Sequence, residues 1–152
     1  MNKSIEIIKE TRNNFLKLID SLPIDILNKV PAGFNNNIIW NFGHVVISQQ
    51  LLCYKLSGAT MLVDEAMIPK YSKGTKPDGV VSQEEIDQLK AWAVETIDQT
   101  EHDLEGDVFQ NYKTYTTSFG TTLENVGDAI QFVAMHEGLH LGYAMALKNA
   151  AQ

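Results

Sequence analysis

The sequence predicts an all-α protein, a four-helix bundle with a long crossover connection between its second and third helices. Three observations lead there. Four stretches of helical length carry apolar residues at three- and four-residue steps or open at a capping residue. Almost no stretch alternates apolar and polar residues as a strand would. Between the second and third helices, residues 59–81 are crowded with turn formers and show too little periodicity for a long element.

The first helix is expected from Ser4 to about Ser21, where Ile5, Ile8, Phe15, Leu18 and Ile19 form an apolar stripe among Glu, Lys and Asn, and Pro23 ends it. Residues 22–36 hold two prolines and a glycine, with at most one helical turn in PIDILNKV. Asn37 is a good N-cap for the second helix, IIWNFGHVVISQQLLCYKL, and Gly58 stands where a C-terminal cap glycine belongs. The stretch from Ala59 to Val81 reads as a crossover loop, a length uncommon unless the loop is functional or bridges parallel neighbours in a bundle.

Ser82-Gln83-Glu84-Glu85 is a capping box opening the third helix, which should run to about Leu104 with Ile86, Leu89, Trp92 or Ala93, and Ile97 inward, and stop at Gly106. The stretch NYKTYTTSFGTT within residues 107–122 lacks a helical period and reads as extended, suited to a short hairpin across the bundle end. Thr121 followed by Glu124 then signals the fourth helix, continuing to Lys148 or Asn149.

The totals fit one domain spanning residues 1–152, large enough to bury a core without disulfides. A net charge of −7, from 19 acidic against 12 basic residues, disfavours nucleic acid as a partner. The single cysteine, Cys53, excludes an intramolecular disulfide and a Cys-rich metal site, and reads as a small buried hydrophobe. No apolar run approaches the roughly 20 residues needed to span a bilayer, and the N-terminus lacks the apolar core of a signal peptide. A cytoplasmic location, with no membrane partner, is the expectation.

Chemistry concentrates in the fourth helix, at His136-Glu137-Gly138-Leu139-His140. At about 100° per residue the two imidazoles lie about 40° apart, on the face shared with Ala129, Phe132, Val133, Tyr143 and Leu147. His44 shares its own helix face with Trp40, Ser48 and Leu51, so it too points inward. His102, in the polar run Glu101-His102-Asp103, reads as a solvated residue. A lone inward histidine is more often a hydrogen-bonded core residue than a ligand. Three are costly to bury unless something satisfies their nitrogens, and a divalent cation does so directly. Three imidazoles also leave a coordination position open, as catalytic zinc sites do.

The string HEGLH matches the H-E-x-x-H pattern of zinc peptidases, in which Glu137 would be a general base. That pattern needs a third ligand downstream, and LGYAMALKNAAQ contains no Asp, Glu or His. No strand set is available to hold an extended peptide either. Glu137 therefore reads as a helix-surface residue or one that supports the ligands, its role open.

Trp40-Asn41-Phe42-Gly43-His44 resembles the W-N-x-x-H signature of the DinB/YfiT-like superfamily of small metal-binding four-helix proteins. His136-Glu137-Gly138-Leu139-His140-Leu141-Gly142 resembles its H-x-x-x-H-x-G signature, and Phe119-Gly120 with Thr121 or Thr122 resembles the segment leading into that helix. The resemblance implies that His44, His136 and His140 ligate one divalent metal at the centre of the bundle. Zinc is the first choice, with nickel or iron compatible, since ligand softness does not choose among them. Tyr143 departs from the family, many of whose members carry Gln there.

Family members with assigned activity resemble thiol-dependent enzymes: transferases that join a low-molecular-weight thiol to an electrophile, and an isomerase. The resemblance thus implies a metal-dependent thiol S-transferase or related detoxifying enzyme, with a small thiol and an electrophile as partners. Trp40, Asn41 and Tyr143, near the ligands in helical phase, are candidates for the substrate pocket; packing is the plainer role for Trp40 and Tyr143, and a supporting amide for Asn41. Two alternatives stand beside this reading: a non-catalytic metal-binding stress-response module, expected to have a closed site, and a metal-dependent hydrolase. The family also implies a homodimer formed through helix faces, with which outward apolar residues such as Leu141 are compatible.

Overall fold

A computed structural model describes residues 2–152. Its long helices are α1 (Lys3–Asp20), α3 (Ile38–Cys53), α5 (Gln83–Asp103) and α6 (Val126–Ala151), with short helices α2 (Ile24–Asn28) and α4 (Ile68–Tyr71) in the connections. The long helices form a ring in which α6 and α5 each pack against both α1 and α3. This is the helical bundle that the sequence predicts.

The caps explain most of the boundaries. Asn2 Oδ1 accepts from the Ser4 and Ile5 amides at the start of α1, and Asn37 Oδ1 accepts from Trp40 N at 2.8 Å at the start of α3. Helix α3 is buried nearly all round, from Ile38 through Gln50 and again at Cys53. That is the expected state of a helix apolar on every face. It ends at Cys53, before the predicted Leu56; a tighter turn over Lys55–Ser57 follows, and Gly58 takes the left-handed conformation, φ 69°.

The crossover is more structured than the loop the sequence suggests. It contains a 3₁₀ turn at Glu65–Met67 and α4, and it buries Met61, Val63, Tyr71 and Val81 against the core. Tyr71 lies directly on α3: a Cβ built on Gly43 would come within 2.4 Å of its ring. Gly43 is thus needed for close approach, a use of glycine in mid-helix that offsets its cost there. The Ser82 hydroxyl caps α5 by accepting from Glu85 N at 3.2 Å. The Glu85 carboxylate leaves the capping box unreciprocated, accepting instead from the Tyr71 hydroxyl and from Lys70 Nζ, the latter at 2.6 Å. The same glutamate therefore pins the crossover to α5.

Two short antiparallel strands, β1 (Tyr115–Thr116) and β2 (Thr122–Leu123), pair Tyr115 with Leu123 and form the expected hairpin, turning at Gly120 with φ 86°. The start of α6 differs from expectation. Its cap is Asn125, whose Oδ1 accepts from Asp128 N, while the Asp128 carboxylate accepts from Glu124 N. Hairpin pairing of Thr122 holds the preceding residues extended, so the capping signal at Thr121 is overridden and the helix begins four residues later. Leu141, expected to face outward, packs against the core; the exposed large apolar side chains of α6 are Met135, Leu139, Tyr143 and Met145. Among the described residues no helix is long and apolar enough to cross a membrane.

Candidate metal centre

His44 comes from the middle of α3, and His136 and His140 from α6, the helix with which α3 makes its main contact. One ring nitrogen from each lies within 4.8 Å of the others, and Nε2 of His44 is 3.3 Å from Nε2 of His136. The three histidines expected from the sequence thus converge, and their ligand atoms are close enough to hold one metal ion.

The neighbouring groups decide which nitrogen of two rings is free. His44 Nδ1 lies 2.7 Å from the backbone oxygen of Tyr71, which can only accept, so Nδ1 carries the proton and Nε2 keeps its lone pair. Asn41 Nδ2 donates to the Asn37 carbonyl at 2.8 Å and to Asn36 Oδ1 at 3.1 Å, which turns Asn41 Oδ1 toward His140. His140 Nδ1 therefore donates to Asn41 Oδ1 at 2.7 Å and likewise leaves Nε2 bare. Outward N–H groups held by a carbonyl and an amide are the arrangement that fixes metal-binding imidazoles. Nδ1 of His136 is buried without a partner among the described residues.

Electrostatics agree with neutral, donor-ready rings. Burial lowers the pKa of His44, burial together with the other two histidines brings His136 down to about 3, and burial together with His44 brings His140 down to about 4. Protonation would put like charges side by side in a poorly solvated site. A cation satisfies three neutral imidazoles facing one another directly, so the donor set fits a divalent metal.

Beside the histidines opens a cavity of about 500 Å³. Trp40 lines it, stacked on the His44 ring at 4.7 Å, and its Nε1 donates to Thr75 Oγ1 in the crossover at 3.2 Å. Phe132, stacked on His136, and Phe119 of the hairpin turn form further apolar wall. The other sequence-selected residues are placed differently. Asn41 is fully buried behind His140 and is not part of the lining. Tyr143 is also outside the lining: it packs edge-on against Phe34, with ring centroids 5.9 Å apart. His102 is exposed and Cys53 is buried, as expected.

Glu137 corrects the reading of it as a surface residue. It is 0% exposed and turned away from the cavity. Arg12 of α1 grips its carboxylate with two nitrogens, Nη2 to Oε1 at 2.7 Å and Nε to Oε2 at 3.0 Å, while Arg12 Nη1 donates to Ala93 O and Thr96 Oγ1 of α5, each at 2.9 Å. Burial pushes the Glu137 carboxyl up and the guanidinium beside it pulls it back down. Held in that grip, Glu137 is not a base for chemistry at the histidines. Sequence reasoning missed Arg12, Tyr71 and Thr75 as parts of this region, and placed Phe132 on the histidine face without assigning it to the cavity. Arg12 within the otherwise apolar stripe of α1, and Gly43 within the apolar run of α3, were the available signals.

The comparisons with known proteins agree with this fold. The crystal structure of a conserved protein from Enterococcus faecalis superposes with a TM-score of 0.67 at 12% identity, covering 97% of this chain and 94% of that one. At that identity the likeness is one of fold. No curated protein matches the sequence. Residues 7–144, nearly the whole bundle and all three histidines, match the DinB superfamily, and the chain belongs to that superfamily.

Proposed function

We propose that the chain is a metal-dependent thiol S-transferase that joins a small thiol to an electrophile. The observation that carries this reading is the opening of a largely apolar cavity onto three inward imidazoles. His44, His136 and His140 would hold the ion, with zinc first and nickel or iron compatible. When bound, a divalent cation supplies Lewis acidity, which lowers the pKa of a thiol brought to it. The Tyr71 carbonyl and the Asn41 amide hold two of the rings in register. Trp40, Phe119 and Phe132 keep water from the reacting atoms and offer apolar surface to the electrophile. In the overall reaction a sulfur–carbon bond forms as the carbon–leaving-group bond breaks, and the thiol proton departs with the leaving group.

Two features favour this reading over its alternatives. A purely binding module would have its site closed by a fourth protein ligand; the cluster here contains three among the described residues and faces open space. Hydrolysis is commonly assisted by a carboxylate base, whereas no aspartate or glutamate lines the cavity, and a metal-activated thiol needs none. The test is conjugation of small thiols to model electrophiles, with elemental analysis alongside for wild type, His44→Ala, His136→Ala and His140→Ala. Activity should vanish on chelation and return with zinc or nickel, and the variants should lose stoichiometric metal. Full activity in metal-free protein would overturn the reading.

A further inference from the structure

The cavity beside the histidines is lined by charge of one sign. Lys55 and Lys73 are among its lining residues, and no aspartate or glutamate is, in a chain with 19 acidic and 12 basic residues. Lys9, Lys70 and Lys90 are each paired with a carboxylate, but among the described residues neither Lys55 nor Lys73 is. The two come from separate segments. Lys73 follows α4 two residues after Tyr71, whose carbonyl accepts from His44, so it stands at the histidine end. Lys55 opens the turn after α3, eleven residues beyond His44, which is roughly 16 Å along a helix axis. Leu51 and Leu52 between these levels, and Leu56 beside Lys55, keep the wall apolar.

We propose that this cavity selects an anionic amphiphile, its apolar body against the leucines and aromatic rings and its acid group at Lys55 or Lys73. The proposal rests on the cavity being the ligand site of the function above, without depending on thiol chemistry. Both lysines are exposed, so each adds a modest, salt-sensitive attraction. A cationic or neutral analogue of the same shape gains nothing from them. The overall negative charge of the protein sets this patch of opposite sign apart from the average of its surface.

The probes are octanoate, octanol and octylammonium, alike in chain length and different in charge, titrated calorimetrically into the full chain at low salt, both zinc-loaded and after chelation. Octanoate should bind about five-fold or more tighter than octanol in both preparations, and octylammonium weakest. About 0.5 M salt should shrink the difference. The double variant Lys55→Glu/Lys73→Glu should invert the order, and the single variants show which lysine holds the acid group. An anion preference confined to the zinc-loaded protein, or one that survives the double reversal, would overturn the proposal. So would equal binding of all three probes or binding of none. Conjugation measured on the same samples separates the two readings: anion preference without conjugation refutes only the thiol reading, and conjugation without anion preference refutes only this one.

Discussion

Two sides of α6 carry polar groups inward, one residue apart in sequence, with opposite outcomes. On the side facing α1 and α5, the Glu137 carboxylate meets the Arg12 guanidinium, which also bonds Ala93 and Thr96. On the side facing α3, His136 and His140 meet His44, with ring nitrogens turned toward one another and a cavity beside them. The first cluster satisfies its own charges and is closed. The second satisfies the outward nitrogens of His44 and His140 but not that of His136, and its inward ring nitrogens are close enough to share a cation. The difference teaches how to separate structure from chemistry inside a bundle: the question is which buried polar atoms are left without partners, not how many are buried.

The largest effect should come from opening the closed side. Arg12→Ala would strand the Glu137 carboxylate and should cost about 3–5 kcal/mol in urea unfolding, whereas the paired replacement Arg12→Met/Glu137→Leu should recover most of it. A loss below about 1 kcal/mol would mean that the two sides of α6 do not differ as described.

On the cavity side the cost should fall on metal binding. Asn41→Ala removes the acceptor for His140 Nδ1. It should weaken zinc binding about 10- to 100-fold, while changing the unfolding free energy of the metal-free chain by roughly 1 kcal/mol. The reverse pattern, a large stability loss with unchanged zinc affinity, would make Asn41 a structural residue like Arg12.

The smallest effect sharpens what burial alone does. Cys53 is fully buried, and burial pushes its thiol up to about 12. A disulfide reagent should leave it untouched in the native protein and label it fully in denaturant. Because its folded value lies above the unfolded one of about 8.5, its contribution to stability is present below that pH and declines as pH rises through the folded value. Rapid native labelling would show that the C-terminal end of α3 opens readily.

Caps and periodicity made much of this molecule legible. Asn37 and Ser82 set helix starts through their own side chains, and the inward phase of His44, His136 and His140 follows from helical geometry alone. Where pairing overrides a local signal, the sequence was less informative: Thr121 carries the capping pattern, but hairpin pairing of its neighbour Thr122 moves the cap to Asn125. The crossover was harder still, because α4 is held by contacts to Gly43 and Glu85, which lie far from it in the chain.

By itself, then, the sequence determined the four long helices, their inward faces and the inward phase of the three histidines, since these depend on short-range periodicity. Only the tertiary structure decided that Glu137 belongs to Arg12, that Tyr71 and Asn41 orient the rings, that Tyr143 stands outside the cavity, and that two lysines border it. Each of those depends on which distant segments meet, and helical phase can say which way a side chain points without saying what it will find there.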